Sequence, residues 1–246
     1  MQTTLFKLLL TFVLVPGLLA GCIVIDLHGS GFETVKGSGD LISETRQVSD
    51  FESIKLEGQG KVIVTRGKTQ SLVIRADDNI IPHIETIVRN RKLIISHGNI
   101  NLRPTTLNFI ITLSDLKGTS IAGSGEIIGN SRFVSESIYA EISGSGSINL
   151  EVETARLESE ISGSGSIYLA GLVDHHLARI TGSGRIHAFD MLANSAAVSI
   201  TGSGDCLLTV SDHLKAKITG SGDAIYRGHP RIDKNITGSG EVINRN

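Results

Sequence analysis

Ile142-Ser143-Gly144-Ser145-Gly146-Ser147-Ile148 is answered nineteen residues later by Ile161-Ser162-Gly163-Ser164-Gly165-Ser166-Ile167. The same pattern, an apolar residue, a small residue and a Gly-Ser-Gly triplet, occurs seven times. The first glycines are Gly123, Gly144, Gly163, Gly182, Gly202, Gly220 and Gly238, 18 to 21 residues apart. A repeat of this length matches one turn of a β-solenoid and is too short to bury its own apolar face, so it must stack on its neighbours. The period therefore predicts an all-β, parallel β-helix-like solenoid whose coils begin near residue 119.

Aligned on the first glycine, the copies separate an inside from an outside. Two residues earlier stand Ile121, Ile142, Ile161, Ile180, Ile200, Ile218 and Ile236; six earlier are mostly apolar residues, among them Ile138, Leu157 and Leu214. Strand alternation puts these columns and the glycines on one side of each coil. The column four residues after the glycine is Ile127, Ile148, Ile167, Ile186, Cys206, Ala224 and Val242. Cys206 takes an isoleucine position there and reads as a small buried hydrophobe. Few aromatics and 28 glycines suit a thin aliphatic core better than a sandwich of large residues.

The central serines Ser124, Ser145, Ser164, Ser183, Ser203, Ser221 and Ser239 fall on the opposite side. Ser143, Ser162, Thr181, Thr201, Thr219 and Thr237 precede the triplets. Coils about 4.8 Å apart would align these hydroxyls into rows able to hydrogen-bond along the solenoid. Such a stripe is either solvated surface or a docking face. The last copy departs from the pattern at Lys234 and Asn244, as a coil capped by polar groups would.

At the N-terminus, Lys7 precedes an apolar run from Leu8 to Val15, followed by Leu19-Ala20-Gly21-Cys22. The run is too short to span a bilayer and reads as a secretory signal. The tetrapeptide resembles the lipobox of bacterial lipoprotein precursors. That resemblance implies residues 1–21 as a cleaved signal, lipid on Cys22, and a membrane partner reached through that lipid. Ile23 follows the cysteine in place of an inner-membrane retention aspartate, which points to the outer membrane in a cell that has one. Cleavage would remove one lysine and no acid, leaving 22 basic against 25 acidic residues. No nucleic-acid partner is implied by that balance. Residues 22–46, with Gly29-Ser30-Gly31 and Gly37-Ser38-Gly39, read as the lipidated cysteine and a flexible tether, with the folded domain over 47–246.

Before the repeats come short β-branched runs: Ile54-Lys55-Leu56, Val62-Ile63-Val64, Leu72-Val73-Ile74, Leu93-Ile94-Ile95 and Phe109-Ile110-Ile111. Gly58-Gln59-Gly60 is a degenerate triplet, and only Asp78 to Val88 suggests a brief helix or ordered loop. Three stretches here carry a family resemblance: Val48-Ser49-Asp50-Phe51-Glu52-Ser53-Ile54 with the degenerate triplet, the acidic turn Ala76-Asp77-Asp78-Asn79-Ile80, and Leu113 to Gly125 leading into the coils. Together they resemble the auto-transporter adhesin head domain family, also called the GIN domain, over about residues 47–246. The resemblance implies a right-handed parallel solenoid on lipid-anchored or surface proteins, with no catalytic residues to carry over.

For chemistry, the row three residues after each first glycine contains Asp205 and Asp223 in neighbouring coils. Two carboxylates about 5 Å apart could serve as acid and nucleophile or share a metal ion. The repeats, however, leave no long loops to build a groove. Asp174-His175-His176, His187, His213 and His229 lack metal-ligand spacing, and adjacent His175 and His176 would face opposite sides of a strand. They read as solvated turn residues, and no metal or cofactor is expected. The sequence thus points to a non-enzymatic, lipid-anchored envelope or surface protein. It would bind a glycan or a surface protein through the Ser/Thr face, or act as a scaffold. The alternatives are a polysaccharide-processing enzyme on the same scaffold, or a purely structural envelope spacer.

Overall fold

A computed structural model describes residues 34–98 and 100–246; the signal segment and Cys22 lie outside the described residues. Strands in the N-terminal part are β1 (Thr34–Lys36), β2 (Leu41–Arg46), β3 (Ser53–Gly58), β4 (Lys61–Arg66), β5 (Ser71–Asp77), β6 (Glu85–Arg89), β7 (Lys92–Ser96), β8 (Asn101–Arg103) and β9 (Leu107–Leu113). The repeats supply β10 (Gly118–Gly123), β11 (Glu126–Gly144), β12 (Ser147–Gly163), β13 (Ser166–Gly182), β14 (Arg185–Gly202), β15 (Asp205–Gly220), β16 (Ala224–Arg227), β17 (Arg231–Gly238) and β18 (Val242–Asn244). Each of β11 to β15 carries a nearly full coil, broken only at the Gly-Ser-Gly turn, and every pairing from β10 to β18 is parallel. The result is a β-solenoid of about seven turns.

The core is the apolar lining read from the repeat. Ile142, Ile161 and Ile218 are wholly buried, as are Ile148, Ile167 and Ile186 on the other side of the turn. In β12 the burial alternation runs to Thr154, slips at the exposed pair Ala155-Arg156 and resumes at Leu157. That slip is a corner, because two consecutive outward side chains turn the chain without changing which side faces the core.

The turn column explains why glycine recurs. The seven first glycines have φ between +116° and +137°. A Cβ there would stand 2.2–2.5 Å from the carbonyl oxygen of the glycine one coil earlier. Both the left-handed backbone and the close approach of successive coils require the missing side chain. Gly58 (φ +104°) lies directly beneath Gly123, so Gly58-Gln59-Gly60 is one more member of the column.

Spatial order departs from chain order at the N-terminal end. β3 and β4 form the coil beneath β10 and the start of β11, while the later strands β7 and β9 form the coil beneath that one. Glu52 ties the three layers, meeting Arg91 and Lys117 at 2.9 Å each. Beyond β7 and β9 the sheet turns antiparallel, with β6 on β7, β5 on β9 and β2 on β5. The expected brief helix in 78–88 is a single 3-10 turn, Ile81–His83, leading into β6.

The expected tether ends too late. β1 pairs with β8, and β2 is the outermost strand of the antiparallel cap, so residues 34–46 belong to the folded body. Gly37-Ser38-Gly39, read as linker, is clamped by the acidic turn. Asn79 Oδ1 accepts the Ser38 N–H at 2.9 Å, and Asn79 Nδ2 donates to the Lys36 carbonyl at 2.8 Å. Asp78 accepts the Ser38 hydroxyl at 2.5 Å, and Asp77 accepts the Gly39 N–H at 2.9 Å. Local composition suggested flexibility, but these partners come from about forty residues away.

Candidate functional site

All seven central serines are exposed, as are the hydroxyl residues before the triplets from Ser143 onward. They are rigidly placed. The N–H of each central serine donates to the carbonyl of the glycine one coil back, as in Ser145 to Gly123, Ser164 to Gly144 and Ser183 to Gly163, all at 2.9 Å. The anticipated hydroxyl ladders do not form: among the described residues no hydrogen bond runs between these side chains. Backbone amides satisfy the turn, which leaves the hydroxyls free to meet a partner.

Asp205 and Asp223 are neighbours, as the spacing suggests, and each carboxylate accepts a backbone N–H of the next coil. Asp205 Oδ1 accepts the Asp223 N–H at 3.3 Å, and Asp223 Oδ1 accepts the Glu241 N–H at 2.8 Å. Arg185 donates to Asp205 Oδ2 at 2.7 Å. Each aspartate thus replaces a missing rung of the backbone ladder at the turn. Among the described residues, no group of three His, Cys, Asp or Glu side chains is placed to hold a metal ion.

The histidine pair splits as strand parity demands. His175 is exposed and bonds Ser195 Oγ at 2.7 Å. His176 is not a solvated turn residue: it is only 2% exposed and occupies the apolar column between Leu157 and Ala196. Its Nε2 meets the buried Ser159 Oγ at 2.7 Å, and its Nδ1 has no partner. Burial holds its pKa down at about 4. His213 pairs with Asp233 at 2.9 Å, and that bond lowers the carboxyl's pKa. Cys206 is fully buried, in register with Ile186 and Ala224. Burial first, then the charge of Asp205, pushes its thiol far above the ordinary range.

The most highly tuned acid is Asp77, which is inaccessible to solvent. It accepts the Thr105 hydroxyl at 2.6 Å and the N–H groups of Thr105 and Gly39 at 2.8 and 2.9 Å. The Thr105 hydroxyl bond outweighs the opposing effect of desolvation, and with the backbone donors holds the carboxyl at about 2. Its partners fasten β1 and β2 to the body, which is a structural task.

One surface escaped the repeat reading. The outward residues five after the first glycine include Ile128, Tyr168, Leu207, Ile225 and Ile243, aligned coil over coil. The signal was present in the sequence, but the adjoining isoleucine columns of the core masked it.

Residues 50–230 match the family described as "Putative auto-transporter adhesin, head GIN domain". The chain belongs to this family. Among solved structures, a "putative adhesin" from Bacteroides fragilis NCTC 9343 shares the fold at a TM-score of 0.82 and 24% identity, over 86% of this chain and all of that one. A "putative lipid binding protein" from Parabacteroides distasonis ATCC 8503 aligns at 0.74 and 26% identity, over 87% of this chain and all of that one. A "putative adhesin" from Parabacteroides merdae ATCC 43184 aligns at 0.69 and 25% identity with the same coverage. Among curated proteins none matches. Adhesin-family membership indicates a surface or envelope protein.

Proposed function

We propose that this chain is a non-enzymatic, adhesin-type binding module of the cell envelope, held to a membrane through lipid on Cys22. Its recognition surface is the hydroxyl face. The carrying observation is the row of seven exposed serines, fixed coil by coil through their backbone amides and flanked by a second hydroxyl row. Single hydroxyls bind weakly, so affinity must be summed along several coils, which suits a repetitive partner such as a glycan strand or the repeated surface of another protein. Family membership and the adhesin descriptions of its structural relatives support the same reading. The carboxylates of Asp205 and Asp223, each accepting a backbone N–H of the next coil, favour it over a polysaccharide-processing enzyme.

A glycan array tests the binding. Ser145→Lys, Ser164→Lys, Ser183→Lys and Ser203→Lys together should abolish the wild-type signal with the fold intact, while Asp205→Asn with Asp223→Asn should leave it unchanged. Cleavage of a polysaccharide by the wild type, lost in the double Asn variant, would establish the enzyme reading instead. Anchoring is tested by mass spectrometry of the membrane fraction: an unmodified Cys22, or a mature chain starting elsewhere, refutes it.

A further inference from the structure

We infer that two copies of this chain pack face to face through the outer surface that follows the Gly-Ser-Gly turn, with their solenoid axes antiparallel. This rests on different residues from the hydroxyl face and stands or falls separately.

The surface carries an outward apolar stripe along ten paired strands, from Val73 in the cap through Ile110, Ile63 and Ile128 to Leu207 and Ile243 in the last coils. Asn149 interrupts it, and Tyr168 and His187 lie stacked within it, ring centroids 4.5 Å apart. Ile110 and Tyr168 are 40% and 42% exposed, and the other apolar side chains of the stripe are half-buried. At about 4.8 Å per strand and about 3.3 Å per residue, the stripe and its two polar margins cover roughly 800 Å². That is of the order of what each partner contributes to a standard stable interface, and sheets pack face to face with their strand directions nearly aligned.

The charges along one margin identify the occupant. Two residues before the stripe, counting from the cap, the aligned side chains are Arg75, Asn108, Lys61, Glu126 and Ser147, and then Ser166, Arg185, Asp205, Asp223 and Glu241. Reversed, the first half meets the second with opposite signs at three positions and neutral on neutral at one; the fifth sets the neutral Asn108 against Asp223. A two-fold axis along the strand direction, between β12 and β13, lays this margin on its own copy in the opposite sense. Arg75 then faces Glu241, Lys61 faces Asp205, Glu126 faces Arg185, Asn108 faces Asp223 and Ser147 faces Ser166. No like charges meet. Within each chain Lys61 pairs with Glu126 at 3.1 Å and Arg185 with Asp205 at 2.7 Å, and the two-fold lays one of these ion pairs on the other with opposite charges facing, as an isologous dimer requires. The other margin ends in Arg227 and Arg245, which fall opposite the neutral Thr112 and Ser71. This packing keeps the strand direction, so the serine rows of the two copies emerge on the same side, free of the interface.

Two measurements test the dimer. In the full chain, Arg75→Cys and Glu241→Cys stand at opposite ends of one solenoid, roughly 43 Å apart, too far to bridge within a chain. Mild oxidation should cross-link the double variant into a dimer on a non-reducing gel, and neither single variant should respond. Cys22 is common to all three, so the singles control for it. In the second, sedimentation should show a micromolar dimer weakened about tenfold or more by Glu126→Arg, which sets the new guanidinium against Arg185 at both symmetry-related contacts, and restored by adding Arg185→Glu. A chain monomeric at about 100 µM, a double-cysteine variant that does not cross-link, or a folded charge-swap double that stays monomeric would each overturn the inference.

Discussion

His176 and Ser159 make the interior acid-sensitive at one defined point, and replacing them should remove that sensitivity. Neutral His176 is accommodated by a single hydrogen bond to Ser159, but its charged form would sit among Leu157, Ala196 and Leu214 without a counterion. In the unfolded chain the imidazole titrates near its ordinary value of about 6.5; in the fold burial holds it at about 4. Between these values the unfolded chain binds a proton that the native one does not, so stability is lost as pH falls through 6.5 and the loss saturates near 4. A separation of about 2.5 units corresponds to about 3 kcal/mol. For a folded body of this size that is roughly 6–12 °C in Tm. His176→Leu with Ser159→Ala installs residues the same columns already use at Leu157 and Ala178. Thermal unfolding followed by circular dichroism at pH 7 and pH 4 should show both proteins losing stability in acid, the wild type by the additional amount. Equal losses would mean that His176 is not buried neutral, and the reasoning would fail.

Gly163→Ala should destabilise by about 3 kcal/mol or more, since its φ of +127° and the Gly144 carbonyl 2.4 Å from the new Cβ both oppose it; a melting temperature within a degree or two of wild type would contradict the turn-column argument. Cys206 should resist thiol reagents in the native protein and tolerate valine, whereas Cys206→Asp should cost several kcal/mol by placing a charge in the apolar stack; rapid native labelling would refute its burial. Asp77→Ala should release the 34–46 segment, giving limited proteolysis there while the coils beyond Gly118 stay protected. With its carboxyl held at about 2, Asp77 stabilises the clamp fully above the unfolded value of about 4, and that contribution declines as pH falls from there through about 2. Cleavage of wild type and variant at equal rates would show that Asp77 does not hold the cap.

The solenoid was legible because its determinants are local and repeated. The isoleucine two residues before each glycine, the column containing Cys206 and the outward serines all follow from strand parity within one coil, and parity needs no knowledge of the rest of the chain. His176 was legible by the same rule: it stands six residues before Gly182, in the column of Ile138, Leu157 and Leu214, and the polarity of its side chain hid that place. The order of coils at the N-terminal end was not legible at all. Nothing local in β3 or β7 states that residues 92–113 lie beneath 53–66, since parallel strands select partners by packing and register over long sequence separations. Gly37-Ser38-Gly39 looked like linker for the same reason, as the groups that hold it are Asp77, Asp78 and Asn79. The charged margin from Arg75 to Glu241 exists only after stacking has put residues from distant parts of the chain in one row. The sequence alone therefore determined the repeating coil, its inside and its hydroxyl edge, while tertiary structure decided the coil order, the cap and the composite surfaces, because those depend on which distant strands pair.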